Sequence, residues 1–239
     1  IAGSIHAAKA AGFDAVECHW PYDQDAQEIA TALTESGMTM LGINTIPGEN
    51  FGLSALPDQV PEARAAINQA LEFADQIDTP NIHVMAGKVD DRVAAAQVFE
   101  DNLLYACERA SALGKTILIE PLNPYDAPGY FLNSTGQAAA IIERLAQPNL
   151  KLMFDCYHIQ RKEGDLTGKL EALLPIIGHI QFAGVPHRAE PSPGEVDYDF
   201  IFNFIDELGY QGFVGAEYKP KTTAEAGLSW LHKAMPAAL

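Results

Sequence analysis

The sequence predicts an α/β fold: a (β/α)8 barrel of the TIM type, lacking its first strand in the given chain, with residues 1–239 forming one barrel domain. Three observations lead there. Seven short apolar runs alternate with eight longer stretches of helical period. Strand–helix–strand units join parallel strands by right-handed crossovers, and eight such units close a barrel. Neither GxGxxG nor GxxxxGK[ST] occurs, so the phosphate turn expected after the first strand of a doubly wound open sheet is missing. Hard oxygen donors, finally, fall at the C-terminal ends of the later strands, where barrels build their active sites.

The chain opens in a helix over 3–11, so a strand before Ile1 is expected to complete the ring. A strand at 14–18 (DAVEC), a helix at 23–36 and a strand at 39–43 (TMLGI) follow. Helix 61–77 has Pro61 in its first turn, where the N–H that proline lacks would be unpaired anyway. Next come NIHVM (81–85), a helix at 90–113, TILIE (116–120) and a helix at 134–147, with Asn133 or Ser134 placed to cap it. LKLMF (150–154), a helix at 166–175, GHIQF (178–182), a helix at 197–208, GFVGAE (212–217) and a helix at 222–235 complete the alternation. The strand centres are apolar, as in parallel strands buried on both faces. Two connections are long, 44–60 and 183–196, and both follow strands, which puts them on the active-site face.

A hydrophobic share of 48% is enough for a substantial core and excludes disorder, collagen and coiled coil. The balance of 15 Lys+Arg against 32 Asp+Glu, a net charge of -17, speaks against nucleic-acid and membrane partners, whose recognition draws on clustered cations. Three cysteines without a CxxC read as thiols in a reducing compartment. No apolar run is long enough to span a bilayer and no secretory leader is legible, so a cytoplasmic location is expected. The oligomeric state is left open by the sequence.

Glu120 ends one apolar strand, Asp155 follows another, Gln181 sits near the end of a third and Glu217 closes a fourth. A barrel would converge these four on one cavity. Three carboxylates that close repel, and a divalent cation is their natural compensation. An all-oxygen set suits Mg²⁺, with Mn²⁺ fitting the same donors, better than zinc.

The runs VECHWPYD (16–23), HVMAG (83–87), IEPLNPYDAPGYFL (119–132), FDCYHIQ (154–160), HIQFAGVPHRAEPSPGEVDY (179–198) and GAEYKP (215–220) resemble the hydroxypyruvate isomerase family, within the xylose-isomerase-like barrel superfamily. The resemblance runs from the first helix to the last. It implies that Glu120, Asp155, Gln181 and Glu217 hold the metal and that Glu120 and Glu217 are the acid/base pair, with no organic cofactor. The implied reaction converts hydroxypyruvate to tartronate semialdehyde through an enediolate, whose negative charge a chelated cation would stabilise. Gln181 departs from the sugar epimerases of the superfamily, which usually carry His at the matching position, and the departure agrees with the isomerase branch.

The resemblance also implies that His158 lines the site. In the loop after the seventh strand, His187 and Arg188 are expected to recognise a substrate carboxylate, Arg188 with a bidentate fork. Lys219 is a second candidate cation, and Asn44 a candidate donor to the substrate. Glu17 and His19 are expected to face the pocket, and with His83 to be structural rather than catalytic. Trp20, Pro21 and Tyr22 read as a wall or lid, and Glu195 and Asp197 as ordering the loop before the next helix. The expected partner is thus a small anionic keto acid. A four-carbon 2-oxo-tetronate is the alternative substrate, and a sugar 3-epimerase comes after it. An abasic-site endonuclease would want histidine ligands and a basic groove. A non-catalytic binder would have no use for both glutamates.

Overall fold

The structure is a computed structural model and describes residues 1–231. The strands are β1 (Ala15–Val16), β2 (Thr39–Met40), β3 (Gly42–Asn44), β4 (Asn81–His83), β5 (Thr116–Ile119), β6 (Leu150–Asp155), β7 (Ile177–Phe182) and β8 (Val214–Ala216). The helices are α1 (Ala2–Ala11), α2 (Ala26–Ser36), α3 (Val60–Gln76), α4 (Arg92–Ala112), α5 (Thr135–Leu145), α6 (Cys156–Lys162), α7 (Leu166–Leu173) and α8 (Tyr198–Glu207). Every strand pairing is parallel: β3 to β8 form a sheet in chain order, and β1 pairs with β2. The run predicted at 39–43 is therefore divided at Leu41, its first half facing β1 and its second facing β4. Main-chain bonds bridge the division, Leu41 N–H to Val16 O at 2.8 Å and Asn44 N–H to His19 O at 2.8 Å. The result is one curled parallel surface of the TIM-barrel kind. No ladder joins β8 to β1 among the described residues.

Local chemistry sets the helix limits. Asp25, Asp91, Ser134 and Asp197 each accept a backbone N–H of the helix they precede, satisfying donors that the first turn leaves unpaired. Ser134, not Asn133, is thus the cap of α5, and Asp197 orders the entry to α8. Pro61 stands in the first turn of α3. The helix predicted at 166–175 is α7 followed by a 3-10 turn at Leu174–Ile176. The one predicted at 222–235 begins as a 3-10 turn at Glu225–Trp230, and its end lies outside the described residues. Helix α6 is absent from the sequence reading. Asp155 starts it by accepting the N–H of Tyr157 at 2.8 Å.

The core lies between the sheet and the helices. Ile82, Ile117, Leu152, Phe154 and Ile180 from the strands, and Phe99, Leu103 and Ala106 from α4, are fully buried. Each large apolar side chain so buried contributes roughly 1.5–3 kcal/mol relative to exposure. The long connection after β3 is pinned rather than loose. Ala55 N–H donates to Ala86 O at 2.7 Å and Lys88 N–H to Asn50 O at 2.8 Å. Gly52 (φ 135°) and Gly87 (φ 102°) pass so closely that a Cβ on Gly87 would lie 2.4 Å from Gly52 O. No helix of the described residues is long and apolar enough to cross a membrane.

Candidate active site

The C-terminal ends of the strands carry the site. Glu120 follows β5, Asp155 ends β6, Gln181 lies in β7 and Glu217 follows β8. Register brings them together: Asp155 pairs with Gln181, and Gln181 with Gly215, two residues before Glu217. A cavity of about 110 Å³ is lined by Glu120, Gln181 and Glu217, together with Glu17, Asn44, His158 and Arg188. Glu120, Asp155 and Gln181 are all buried, and Glu120 Oε1, Asp155 Oδ2 and Gln181 Oε1 have no hydrogen-bond partner among the described residues. Buried acceptors left unpaired are costly, and several converging from adjacent strands fit a cation. Glu120, Asp155 and His158 bring one atom each to within 4.8 Å of one another, close enough to hold a metal ion.

Charge is distributed unevenly across the site. Burial pushes the Glu120 carboxyl well above its ordinary value, and the Glu217 and Asp155 charges add to the effect. Burial raises Asp155 to about 7 against the opposing pull of Arg188. For Glu217, burial is outweighed by the His19 hydrogen bond and the Arg188 charge, which hold it at about 2. The contacts are short: His19 Nε2 and Arg188 Nη2 lie 3.0 and 2.9 Å from Glu217 Oε1. Arg188 Nη2 is also 3.6 Å from Asp155 Oδ2. Burial holds His83 and His158 near 3, so both rings are neutral at ordinary pH.

Gln181 is oriented from behind. Its Nε2 donates to Glu17 Oε2 at 2.8 Å, which leaves its Oε1 as the unpaired end. Glu17 Oε1 lies 3.0 Å from His179 Nε2. Gly215 makes room for this carboxylate, since a Cβ there would fall 1.9 Å from Glu17 Oε1.

The other expected residues divide. Asn44 and His158 line the cavity, and Trp20 forms part of its wall, its Nε1 donating to Thr45 O at 3.1 Å. Arg188 reaches in from a turn closed by the Gly184–Ala189 bridge, with a left-handed backbone (φ 52°) and its O accepting Lys219 N–H at 2.8 Å. That turn separates two neighbours in sequence: His187 is exposed and does not line the cavity. Lys219 is likewise exposed and outside it, touching the site only through its backbone N–H. Arg188 is the one Lys or Arg lining the cavity among the described residues. Sequence reasoning passed over Phe51, Met85 and Asp126, which also line the cavity, and Asn123, which is fully buried beside it. The NPYD run was the available signal for Asn123, since asparagine before such a run favours a turn closed by its own side chain.

Comparison with known proteins agrees with this architecture. A family profile described as xylose isomerase-like TIM barrel matches residues 5–234. The chain is 44% identical over 232 residues to a 2-oxo-tetronate isomerase of Cupriavidus necator, covering 94% of this chain and 89% of that protein. It is 43% identical over 242 residues to a putative hydroxypyruvate isomerase of Danio rerio, covering 96% and 88%. A crystal structure titled AP endonuclease, family 2, from Brucella melitensis superposes with a TM-score of 0.94 at 35% identity, covering 97% of this chain and 92% of that one.

Proposed function

The chain belongs to the xylose isomerase-like TIM barrel family, and on that premise we propose that it is a metal-assisted isomerase of small keto acids, converting hydroxypyruvate to tartronate semialdehyde. The observation that carries this reading is the set of three unpaired buried oxygens, on Glu120, Asp155 and Gln181, beside a second glutamate in a small cavity. Glu120, Asp155, Gln181 and Glu217 would hold the cation, Mg²⁺ or Mn²⁺ by the hardness of the donors. Bound there, it would polarise the substrate carbonyl and offset the charge that develops as the substrate enolises.

The remaining work falls to the side chains. Glu120 and Glu217 approach from β5 and β8 with two strands between them, so a substrate in the cavity lies between two carboxyl groups. One carboxylate takes the proton from C3 and the pair returns it to C2 while the hydroxyl proton passes from O3 to O2, the two transfers that an aldose–ketose type isomerisation needs. Arg188 pairs with the substrate carboxylate; its planar fork suits that group. His158 and Asn44 contact the substrate oxygens, and the wall containing Trp20 limits access of water.

A four-carbon substrate is the second reading, favoured by the name of the 44% identical relative. Both acids share the keto-acid head and differ only at the far end. A sugar epimerase would have no need of Arg188 for neutral hydroxyls. Endonuclease action on nucleic acid is disfavoured by the net charge of -17, because phosphate contacts need basic surface.

The test is an assay panel in D₂O with hydroxypyruvate, 2-oxo-tetronate and neutral ketoses, with and without chelator. Deuterium should enter next to the carbonyl of one of the acids, and chelator should stop it. Exchange with neither acid would sink the proposal. Glu120→Gln and Glu217→Gln should each lower kcat by about 10²–10⁴-fold with circular dichroism unchanged. Near-normal rates in both would remove the acid/base assignment.

A further inference from the structure

His158 has two ring nitrogens, and the one that carries hydrogen decides whether the ring can donate to a substrate or bind a cation. The answer lies in Asn123. Its Oδ1 accepts the backbone N–H of Tyr125 and of Asp126, each at 3.0 Å. Turning the amide end for end would set its NH₂ against two N–H donors, so the loop fixes which end is which. The Nδ2 end is thereby aimed at His158 Nδ1, 2.8 Å away, and at Asp126 Oδ2, 3.1 Å away. The backbone N–H of Asn123 reaches the same His158 Nδ1 at 3.1 Å. Two donors converge on one ring nitrogen, so Nδ1 must offer its lone pair, and a neutral ring then carries its hydrogen on Nε2. Nε2 is the end turned toward the acids, 3.6 Å from Asp155 Oδ2 and 3.9 Å from Glu120 Oε1.

We infer that Asn123 is a positioning residue that locks His158 in the Nε2–H tautomer, making the ring a hydrogen-bond donor toward the substrate and withholding it from the cation. Proximity alone would count His158 with Glu120 and Asp155 as a third ligand. With hydrogen on Nε2 it has no lone pair to give on that side, and the donor set stays all-oxygen. That excludes the mixed nitrogen–oxygen site which zinc would favour. The donor role rests on the isomerase reading above; the tautomer does not.

The direct test is ¹⁵N NMR of the full chain near neutral pH, with the His158 ring signals identified by their loss in His158→Gln. Nδ1 should show the shift of an unprotonated nitrogen and Nε2 that of a protonated one. The reverse pattern overturns the proposal, whatever the enzyme turns over. Asn123→Asp keeps the oxygen that closes the turn but sets a second oxygen against Nδ1. A charge-assisted bond there should outcompete the backbone donor, move the hydrogen to Nδ1 and lower kcat tenfold or more. A tautomer unchanged in that variant overturns the role of the Asn123 side chain, and if the variant does not fold, the wild-type spectrum still decides. Titration with Mn²⁺ alone should give His158→Gln an affinity within threefold of wild type, and a loss beyond tenfold would make the ring a ligand after all. Absence of exchange with either keto acid together with the expected spectrum would fault the isomerase reading and leave the tautomer lock standing.

Discussion

Glu17 touches none of the reacting atoms in the proposed scheme, yet it decides which end of the Gln181 amide enters the cavity. Residues that orient a ligand typically matter to metal affinity by about 10–100-fold. Glu17→Gln, which can meet the Gln181 amide in either orientation, should therefore weaken Mn²⁺ binding by about tenfold in calorimetric titration. Equal affinity would show that Gln181 needs no such support. At this scale the sequence was legible where a donor ended an apolar strand, because parallel register leaves little choice of direction; Glu120, Asp155, Gln181 and Glu217 were found that way. It was not legible at His187 and Arg188. Which of two adjacent loop residues turns inward depends on a single backbone angle, and nothing local forces a left-handed arginine. Asn123 went unnoticed for a related reason, since its partner His158 lies 35 residues away.

Among the elements, the connection after β3 owes its fixed position to a backbone crossing that only glycine permits. Gly87→Ala would set a methyl 2.4 Å from Gly52 O on a residue with φ 102°. The expected cost is about 2 kcal/mol or more, read as a lower denaturation midpoint, with Phe51 displaced from the cavity mouth. An unchanged midpoint would mean that the crossing gives way freely. The alternation of strands and helices was readable because each long helix shows its period over several turns. Helix α6 was not, because its 7 residues fall below any useful window and its start depends on Asp155 serving as a cap. The division of the 39–43 run was equally hidden: TMLGI reads as one strand, and only its two different neighbours separate β2 from β3.

For the whole molecule, the site makes stability depend on pH and, under the proposed function, on a bound cation. Between about pH 4.5 and 6.5 the unfolded chain has lost the protons of Glu120 and Asp155 but gained those of His83 and His158. The folded chain holds the first pair and refuses the second. The two effects oppose each other. Above about 6.5 the unfolded histidines are neutral as well, while Asp155, near 7, still holds its proton in the fold. Stability should then fall as pH rises until the Asp155 carboxyl ionises. Chelator-stripped protein should melt at a lower temperature at pH 8 than at pH 6, and Mg²⁺ should reverse that order because its ligands must be deprotonated. The same order with and without Mg²⁺ would argue against a cation on these carboxylates. The left-handed turn that delivers Arg188 carries a further implication. An arginine there costs on the order of 1–3 kcal/mol of conformational strain, which glycine would relieve. Arg188→Gly should therefore show a higher denaturation midpoint than Arg188→Ala, while under the proposed function both bind the acid poorly, so the molecule gives up robustness to keep a guanidinium in the cavity.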